Sequence, residues 1–278
     1  MVNEIDEHKL TEQRANYTND PYPIYTVIDK QCKYDTLNAD VWFEITPDES
    51  GYSLPGAFVD SSCWGSQFKS GERIKDQPET DMLYLQGLCG SAIADMEENK
   101  KFLYEALKQL IELEYIDPSV LDSETRQYED AGLLLNSPYF SVLRKERHID
   151  LIISLDFSAG NPFETVVTTA KMCKHLQIPF PEVVVPAEDT EPQDFYVFRG
   201  YSKAPTVIHI PLFNVVNCKG EIKKWEKIYK TFQMSYTHEM ITDLLEKAAE
   251  NIKNNKEKLL KEIIKIIQEK KTYKHGKI

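Results

Sequence analysis

The feature that most restricts what this chain can fold into is the junction I-D-L-I-I-S-L-D-F-S-A-G-N-P-F-E, residues 149–164. Residues 149–155 are a nearly continuous apolar run of strand length, which predicts a buried central strand. Small and polar residues follow at once. Asn161 can cap a helix, Pro162 fits its first position, and Glu164 stands where a capping box places an acid. The spacing predicts a helix from there to about Leu176. Asp156 and Ser158 are read as stabilising this strand-to-helix switch rather than as chemical groups. F-Y-V-F at 195–198 and T-V-I-H-I-P-L-F at 206–213 read as further strands. Strands alternating with helices predict an α/β domain with helices on both faces of a sheet.

The N-terminal half is less regular. I-Y-T-V-I-D (24–29) and V-W-F-E-I-T (41–46) are rich in β-branched and aromatic residues and read as strands. Residues 47–80 hold Pro47, Gly51, Pro55, Gly56, Gly65, Gly71 and Pro78, which predicts an irregular surface layer. A helix is expected from Asp81, as N-cap, to about Asp95. A second is expected from about Glu97 to Glu114, on Phe102, Leu103, Leu107, Leu110 and Ile111. The last long helix runs from about Thr237 past Lys270.

With 278 residues the chain can build one large domain or two small ones. No apolar run approaches the roughly 18–20 residues that span a bilayer, and M-V-N-E-I-D-E-H-K-L is no signal peptide, so a cytoplasmic protein is expected. The net charge is −12. Nine Lys and three Glu give residues 251–278 a balance of +6, which leaves −18 on the rest. An acidic body argues against a nucleic-acid partner.

Six histidines, at 8, 148, 175, 209, 238 and 275, form no H-E-x-x-H, and five scattered cysteines form no C-x-x-C. No metal site is expected, and His209, inside an apolar strand, reads as a core histidine. No G-x-G-x-x-G follows a strand, and no G-x-S-x-G nucleophile elbow occurs. G-L-C-G-S at 87–91 imitates an elbow with Cys89 as its nucleophile, but the residues before it read as helix. Gly87, Gly90 and Ser91 are then expected to let that helix pack closely. Asp130, in Y-E-D-A-G-L-L-L-N, is open to two readings, a turn residue or a catalytic carboxylate.

Several segments, in order, carry a resemblance to a known family. They are E-H-K-L-T-E-Q-R (7–14), N-D-P-Y-P-I-Y-T (19–26), W-F-E-I-T-P-D-E (42–49) and G-A-F-V (56–59). Y-L-Q-G-L-C-G-S-A (84–92), D-A-G-L-L-L-N-S-P-Y (130–139) and D-L-I-I-S-L-D-F-S-A (150–159) complete the set. The chain resembles the cytosolic (group IV) phospholipase A2 family, its gamma-type members most closely, from Glu7 to Ile264. A weaker similarity to patatin-type lipases rests on the Asp-x-Gly.

The resemblance implies a three-layer α/β/α sheet, represented across residues 1–278 by the C-terminal portion of the catalytic domain. It implies hydrolysis of glycerophospholipid or lysophospholipid acyl esters at a membrane surface by a Ser–Asp dyad, with no metal and no cofactor. Asp130 falls on the dyad's Asp, and Gly132 on the residue that lets the backbone bend. Cys89 falls outside the family's nucleophile. The glycine-rich oxyanion loop, the phosphate-holding Arg and the G-x-S-G-S elbow are expected to lie upstream of Met1, so the isolated chain is expected to be inactive. It reads as an enzyme whose N-terminal half is absent from this sequence. The alternative is an inactive short product that binds lipid or a partner.

The C-terminal helix, at about 237–271, carries Ile241, Leu245, Ala248, Ile252, Leu259, Ile263 and Ile267 on a stripe among lysines 253, 256, 258, 261 and 265. It is expected to dock on the core up to about Ile252. Beyond Leu259 two readings stay open, docking or peripheral contact with a membrane.

Overall fold

In the computed structural model, residues 6–16, 21–30, 42–69, 72–90, 127–158, 160–187, 191–230 and 235–275 are described. They fall into two compact units, one up to Arg147 and one from His148 onward. The helix expected at 97–114 lies outside the described residues.

The first unit is built on an antiparallel sheet. Its strands are β1 (Tyr25–Asp29), β2 (Trp42–Ile45), β3 (Glu49–Tyr52), β4 (Ala57–Asp60) and, much later in the chain, β7 (Tyr128–Asp130). They lie in the order β4-β3-β2-β1-β7. A hairpin of β5 (Gln67–Lys69) and β6 (Glu72–Lys75) stands apart from this sheet. Residues 47–80 are therefore not the irregular layer their glycines and prolines suggest. Gly51 lies inside β3, where a Cβ would come within 2.1 Å of the Ala57 carbonyl oxygen on β4. Gly56, at φ +75°, closes the turn between the two strands. Both glycines serve strand pairing.

Every residue of β2 is buried, so both faces of the sheet are covered. Side chains alternate along a strand. Phe43 and Ile45 join Leu10, Val27, Met82 and Leu85 in one cluster. Trp42 and Glu44 face the other way, where Trp42 stacks on Phe140 at 5.1 Å. Helix α1 (Met82–Cys89) supplies Met82 and Leu85 and starts as the sequence predicts: the Asp81 carboxylate accepts the Tyr84 N–H at 2.8 Å. It ends at Cys89. Gly87 faces open space, so it does not let the helix pack closely, as its size suggested.

The second unit holds β8 (Leu151–Asp156), α3 (Glu164–His175), β9 (Tyr196–Phe198), β10 (Thr206–Pro211), α4 (Ile222–Ile228) and α5 (His238–His275). A short helix, α2 (Tyr139–Val142), precedes them in the first unit. Strand order is β8-β10-β9, with β8 parallel to β10 and β9 antiparallel to it. Parallel neighbours need a crossover, and the switch after β8 into α3 begins it. Two readings change here. The central, wholly buried strand is β10, not the run at 149–155. Among the described residues β8 lies at the sheet's edge, and it buries Ser154 and Asp156 while Ile153 and Leu155 stay 43% and 45% exposed. Asn161 does not cap α3 directly. Its side chain accepts the Phe163 N–H at 2.9 Å, and the turn it makes delays the helix to Glu164.

Helix α5 has 38 residues, about 57 Å at 1.5 Å per residue. A set of buried asparagines fixes it beside the end of β10. Asn251 accepts from the side chains of Asn214 at 2.8 Å and Asn217 at 3.1 Å, and donates to the Pro211 and Leu212 carbonyls. Docking continues well past Ile252. Asn255 donates to the Asp194 carbonyl at 3.2 Å, Glu262 pairs with Arg199, Ile266 is buried, and Lys270 meets Asp150 at 2.5 Å. No helix among the described residues is long and apolar enough to cross a membrane.

Candidate active site

Asp130 is the last residue of β7, and its register follows from the sheet. Val27 of β1 is opposite Asp130, and Phe43 of β2 is opposite Val27. Directly opposed residues share a face, so Asp130 stands on the side where α1 packs. Tyr128, two residues back on the same face, lies 4.5 Å from the Phe43 ring. Lys30 strengthens the β1–β7 pairing by reaching Glu129 at 3.1 Å, and its N–H donates to the Gln127 carbonyl at 2.8 Å.

After Asp130 the chain makes one 3-10 turn, Ala131–Leu133. The Asp130 carboxylate starts it by accepting the Gly132 N–H at 2.7 Å. Gly132 is not among the glycines with positive φ. A Cβ there would sit 3.0 Å from both the Asn136 amide oxygen and the Asp130 carboxylate, so those side chains would have to give by a few tenths of an ångström. Asp130 is half-buried. Of the two readings the sequence left open, the geometry shows the turn residue, and it leaves the carboxylate half-buried at the strand end.

The segment after the turn is tied to the sheet's other face. Glu44, fully buried, accepts from Arg144 at 2.7 Å, from Arg147 at 2.8 and 3.0 Å, and from the Ser53 hydroxyl at 2.9 Å. Arg144 also reaches Glu49 at 2.9 Å and lies over the Phe58 ring at 4.0 Å. A buried carboxylate is tolerable only when paired and hydrogen-bonded, and Glu44 is both. The spacing of Arg144 and Arg147, flanking no apolar period, gave no sign of this in the sequence. Their partner lies about a hundred residues earlier.

Cys89 ends α1. Burial, with a smaller contribution in the same direction from the Asp130 carboxylate, pushes its thiol up to about 11. A thiol nucleophile needs its pKa lowered, so this environment opposes the elbow reading of G-L-C-G-S. Its response to Asp130 also brings the two side chains into one neighbourhood. Among the described residues, no group of three or more His, Cys, Asp or Glu side chains could hold a metal ion.

In the second unit Asp156 ends β8 and accepts the Ser158 N–H at 2.8 Å, the role the sequence gave it. His209 is fully buried on β10, and its Nε2 donates to the Pro162 carbonyl at 2.8 Å. Burial holds its imidazole pKa below the usual 6.5, against the opposing pulls of Asp156 and the Pro162 carbonyl. Phe163, with its ring 5.6 Å away, Tyr196 and Phe198 pack around it.

No protein-family model matches the chain. It is 27% identical over 359 residues to cytosolic phospholipase A2 gamma of Homo sapiens, covering 88% of this chain and 66% of the human protein. To the Mus musculus protein of the same description it is 28% identical over 417 residues, covering 96% and 69%. Both alignments are longer than the 278 residues of this chain. The relatives therefore carry residues within the matched span that this chain does not. Among solved structures, human GIVD cytosolic phospholipase A2 matches with a TM-score of 0.77 at 21% identity, covering 95% of this chain and 44% of that one. The same enzyme in complex with methyl gamma-linolenyl fluorophosphonate matches at 0.68 and 22% identity. The chain thus spans less than two thirds of the human gamma relative and less than half of the solved chain.

Proposed function

We propose, for a chain that belongs to the cytosolic (group IV) phospholipase A2 family, a part in hydrolysing fatty acyl esters of glycerophospholipids or lysophospholipids, with Asp130 as the carboxylate of a Ser–Asp dyad. The observation that carries this reading is the setting of Asp130. It is half-buried at a strand end, with its backbone held by β1 on one side and by the Ala131–Leu133 turn on the other. A serine hydroxyl is a weak nucleophile at its own pKa. As it attacks the ester carbonyl, a fixed carboxylate can accept its proton and return it to the departing alkoxide. Water then attacks the acyl group, giving its proton to the same carboxylate, which passes it to the departing serine oxygen as the fatty acid is released. The sequence holds no G-x-S-x-G. We assign the serine and its oxyanion donors to the part of the family's catalytic domain that these residues do not match.

The test is a fatty-acid release assay on phosphatidylcholine vesicles. The 278-residue chain is measured alone and joined to the elbow-bearing segment of a group IV relative. The joined protein is expected to turn over, and Asp130→Asn to lower its rate by about 10³-fold, within the range for general acid–base groups. Turnover unchanged within twofold in Asp130→Asn would remove Asp130 from the chemistry. Asp130-dependent turnover by the chain alone would show that the serine lies within it.

We place the protein in the cytoplasm, with peripheral membrane contact through α5. The support is a row of apolar residues on the helix's solvent side: Ile241, Leu245, Ile252, Leu260 and Ile264 are all between 40% and 65% exposed. Exposed lysines 253, 256, 261 and 265 are interspersed, which suits an anionic lipid surface. Removing residues 255–278 would also remove Asn255 and Ile266 from the core, so point variants are the better probe. Leu260→Asp with Ile264→Asp is expected to abolish co-sedimentation with phosphatidylserine vesicles. Equal binding would remove this contact.

A further inference from the structure

The second unit carries a groove of about 330 Å³ between the C-terminal third of α5 and the start of β8. Leu151, Ile263, Ile266 and Ile267 make it apolar, and Asp150, Lys270 and Lys271 stand around it. Its volume is at the lower end of the range for small-molecule sites, roughly 300–1,000 Å³. That suits part of one alkyl chain. The charges around it are unequal, two ammonium groups to one carboxylate, in a C-terminal segment whose own balance is +6. Lys270 meets Asp150 at 2.5 Å, and both side chains remain about half exposed, at 45% and 49%. An ion pair in that position is screened by water and worth little. It can therefore be exchanged for another carboxylate at small cost.

We infer that this groove binds the anion of a long-chain fatty acid, its alkyl chain against Leu151, Ile263 and Ile267 and its carboxylate replacing Asp150 as the partner of Lys270. Asp150 stays at the mouth, so an arriving monoanion adds one negative charge beside two ammonium groups and one carboxylate, where a dianionic phosphate head adds two. The inference does not rest on turnover by this chain. If the dyad chemistry holds, the ligand belongs to the class of its product, held away from Asp130 by a separate set of residues.

The test is calorimetric titration of the full chain with oleate, kept below its critical micelle concentration. Saturable binding of one oleate per chain is expected. Lys270→Ala is expected to weaken it at least fivefold. Asp150→Asn, which removes the competing carboxylate, is expected to tighten it severalfold. Methyl oleate, with the same chain and no charge, should respond to neither variant, and acetate alone should not bind measurably. Because both charged positions are half exposed, both variants are expected to keep the parent's helical circular dichroism and unfolding midpoint. The double variant Asp150→Lys with Lys270→Asp, which restores a pair, guards against a folding artefact. Absence of saturable oleate binding overturns the assignment, as does failure of either single variant to shift it in the stated direction. Loss of oleate binding without loss of vesicle co-sedimentation would separate this groove from the membrane-facing row of α5.

Discussion

Asp130 ends β7 and Asp156 ends β8, and each carboxylate accepts the N–H of the residue two further on, at 2.7 Å and 2.8 Å. Their surroundings differ. Asp156 is 2% exposed and lies beside a fully buried imidazole, with aromatic rings packed around that imidazole. Asp130 is half-buried, and the thiol that feels its charge is itself held inert by burial. A carboxylate that starts a turn is thus a common local device, and only the solvent side of that device decides whether it can meet a substrate. Behind each aspartate stands a different lock. The first unit uses charge, with Glu44 between Arg144 and Arg147. The second uses neutral amides, with Asn251 between Asn214, Asn217 and the end of β10.

The largest effect is expected where the lock is ionic. Glu44→Ala leaves two guanidinium groups without their buried partner. Breaking such a pair costs about 3–5 kcal/mol, enough to unfold a marginal unit and release the Asp130 turn with it. Urea unfolding should show this loss. A change below about 1 kcal/mol would mean that Arg144 and Arg147 find other acceptors. Asn251→Ala is expected to cost less, about 2–3 kcal/mol, because it strands neutral donors and carbonyls rather than charges. If Asn251→Ala proved the costlier, the contrast between the two locks would be reversed.

The two units also differ in how much of them the sequence announces. β1, β2, β9 and β10 follow from runs of β-branched and aromatic residues, α3 from its start signals, α5 from helical spacing and α1 from its Asp81 cap, because these signals are local. β3 and β4 escape because Gly51 and Gly56 read as breakers. Their use depends on a neighbouring strand's backbone, which no local pattern reveals. The apolar run before Asp156 predicts a strand correctly but the wrong place for it. Burial depends on which face meets His209, and β8 turns Ser154 and Asp156 inward. At the candidate site, Asp130 and Gly132 stand out through their order among neighbouring segments. Glu44 with its two arginines is a set of contacts across about a hundred residues and leaves no trace in spacing.

Acid should reach the second unit through the histidine beside its aspartate. The folded His209 pKa is held below 6.5, chiefly by burial. Between the folded value and 6.5 the unfolded chain binds a proton that the folded chain does not. The contribution is therefore complete above about pH 6.5 and declines as pH falls through the folded value, levelling beneath it. The slope from this one group cannot exceed about 1.4 kcal/mol per pH unit. Unfolding free energies measured from pH 8 to pH 5 should show the decline, and His209→Gln should flatten it. Asp156→Asn should steepen it at its lower end, because removing that negative charge drops the imidazole pKa further. An unchanged profile in His209→Gln would assign the acid sensitivity to other groups.

The smallest effect on stability is expected at Asp130, the residue proposed above to carry the proton transfer. In Asp130→Asn the amide oxygen can still accept the Gly132 N–H, so the turn keeps its starting hydrogen bond. The unfolding free energy should move by less than about 0.5 kcal/mol. Asp130→Ala, which removes the acceptor, should cost about 1 kcal/mol, as capping losses do. The same Asn variant removes a negative charge beside Cys89, whose thiol should fall from about 11 while burial, the larger cause, still holds it above the usual 9. The pH dependence of iodoacetamide alkylation reads that change directly. Should Asp130→Asn destabilise as much as Asp130→Ala, the charge rather than the acceptor would be what holds the turn. Asp130 would then resemble Asp156 in function as well as in local geometry, and a loss of turnover in the Asn variant could no longer be assigned to proton transfer alone.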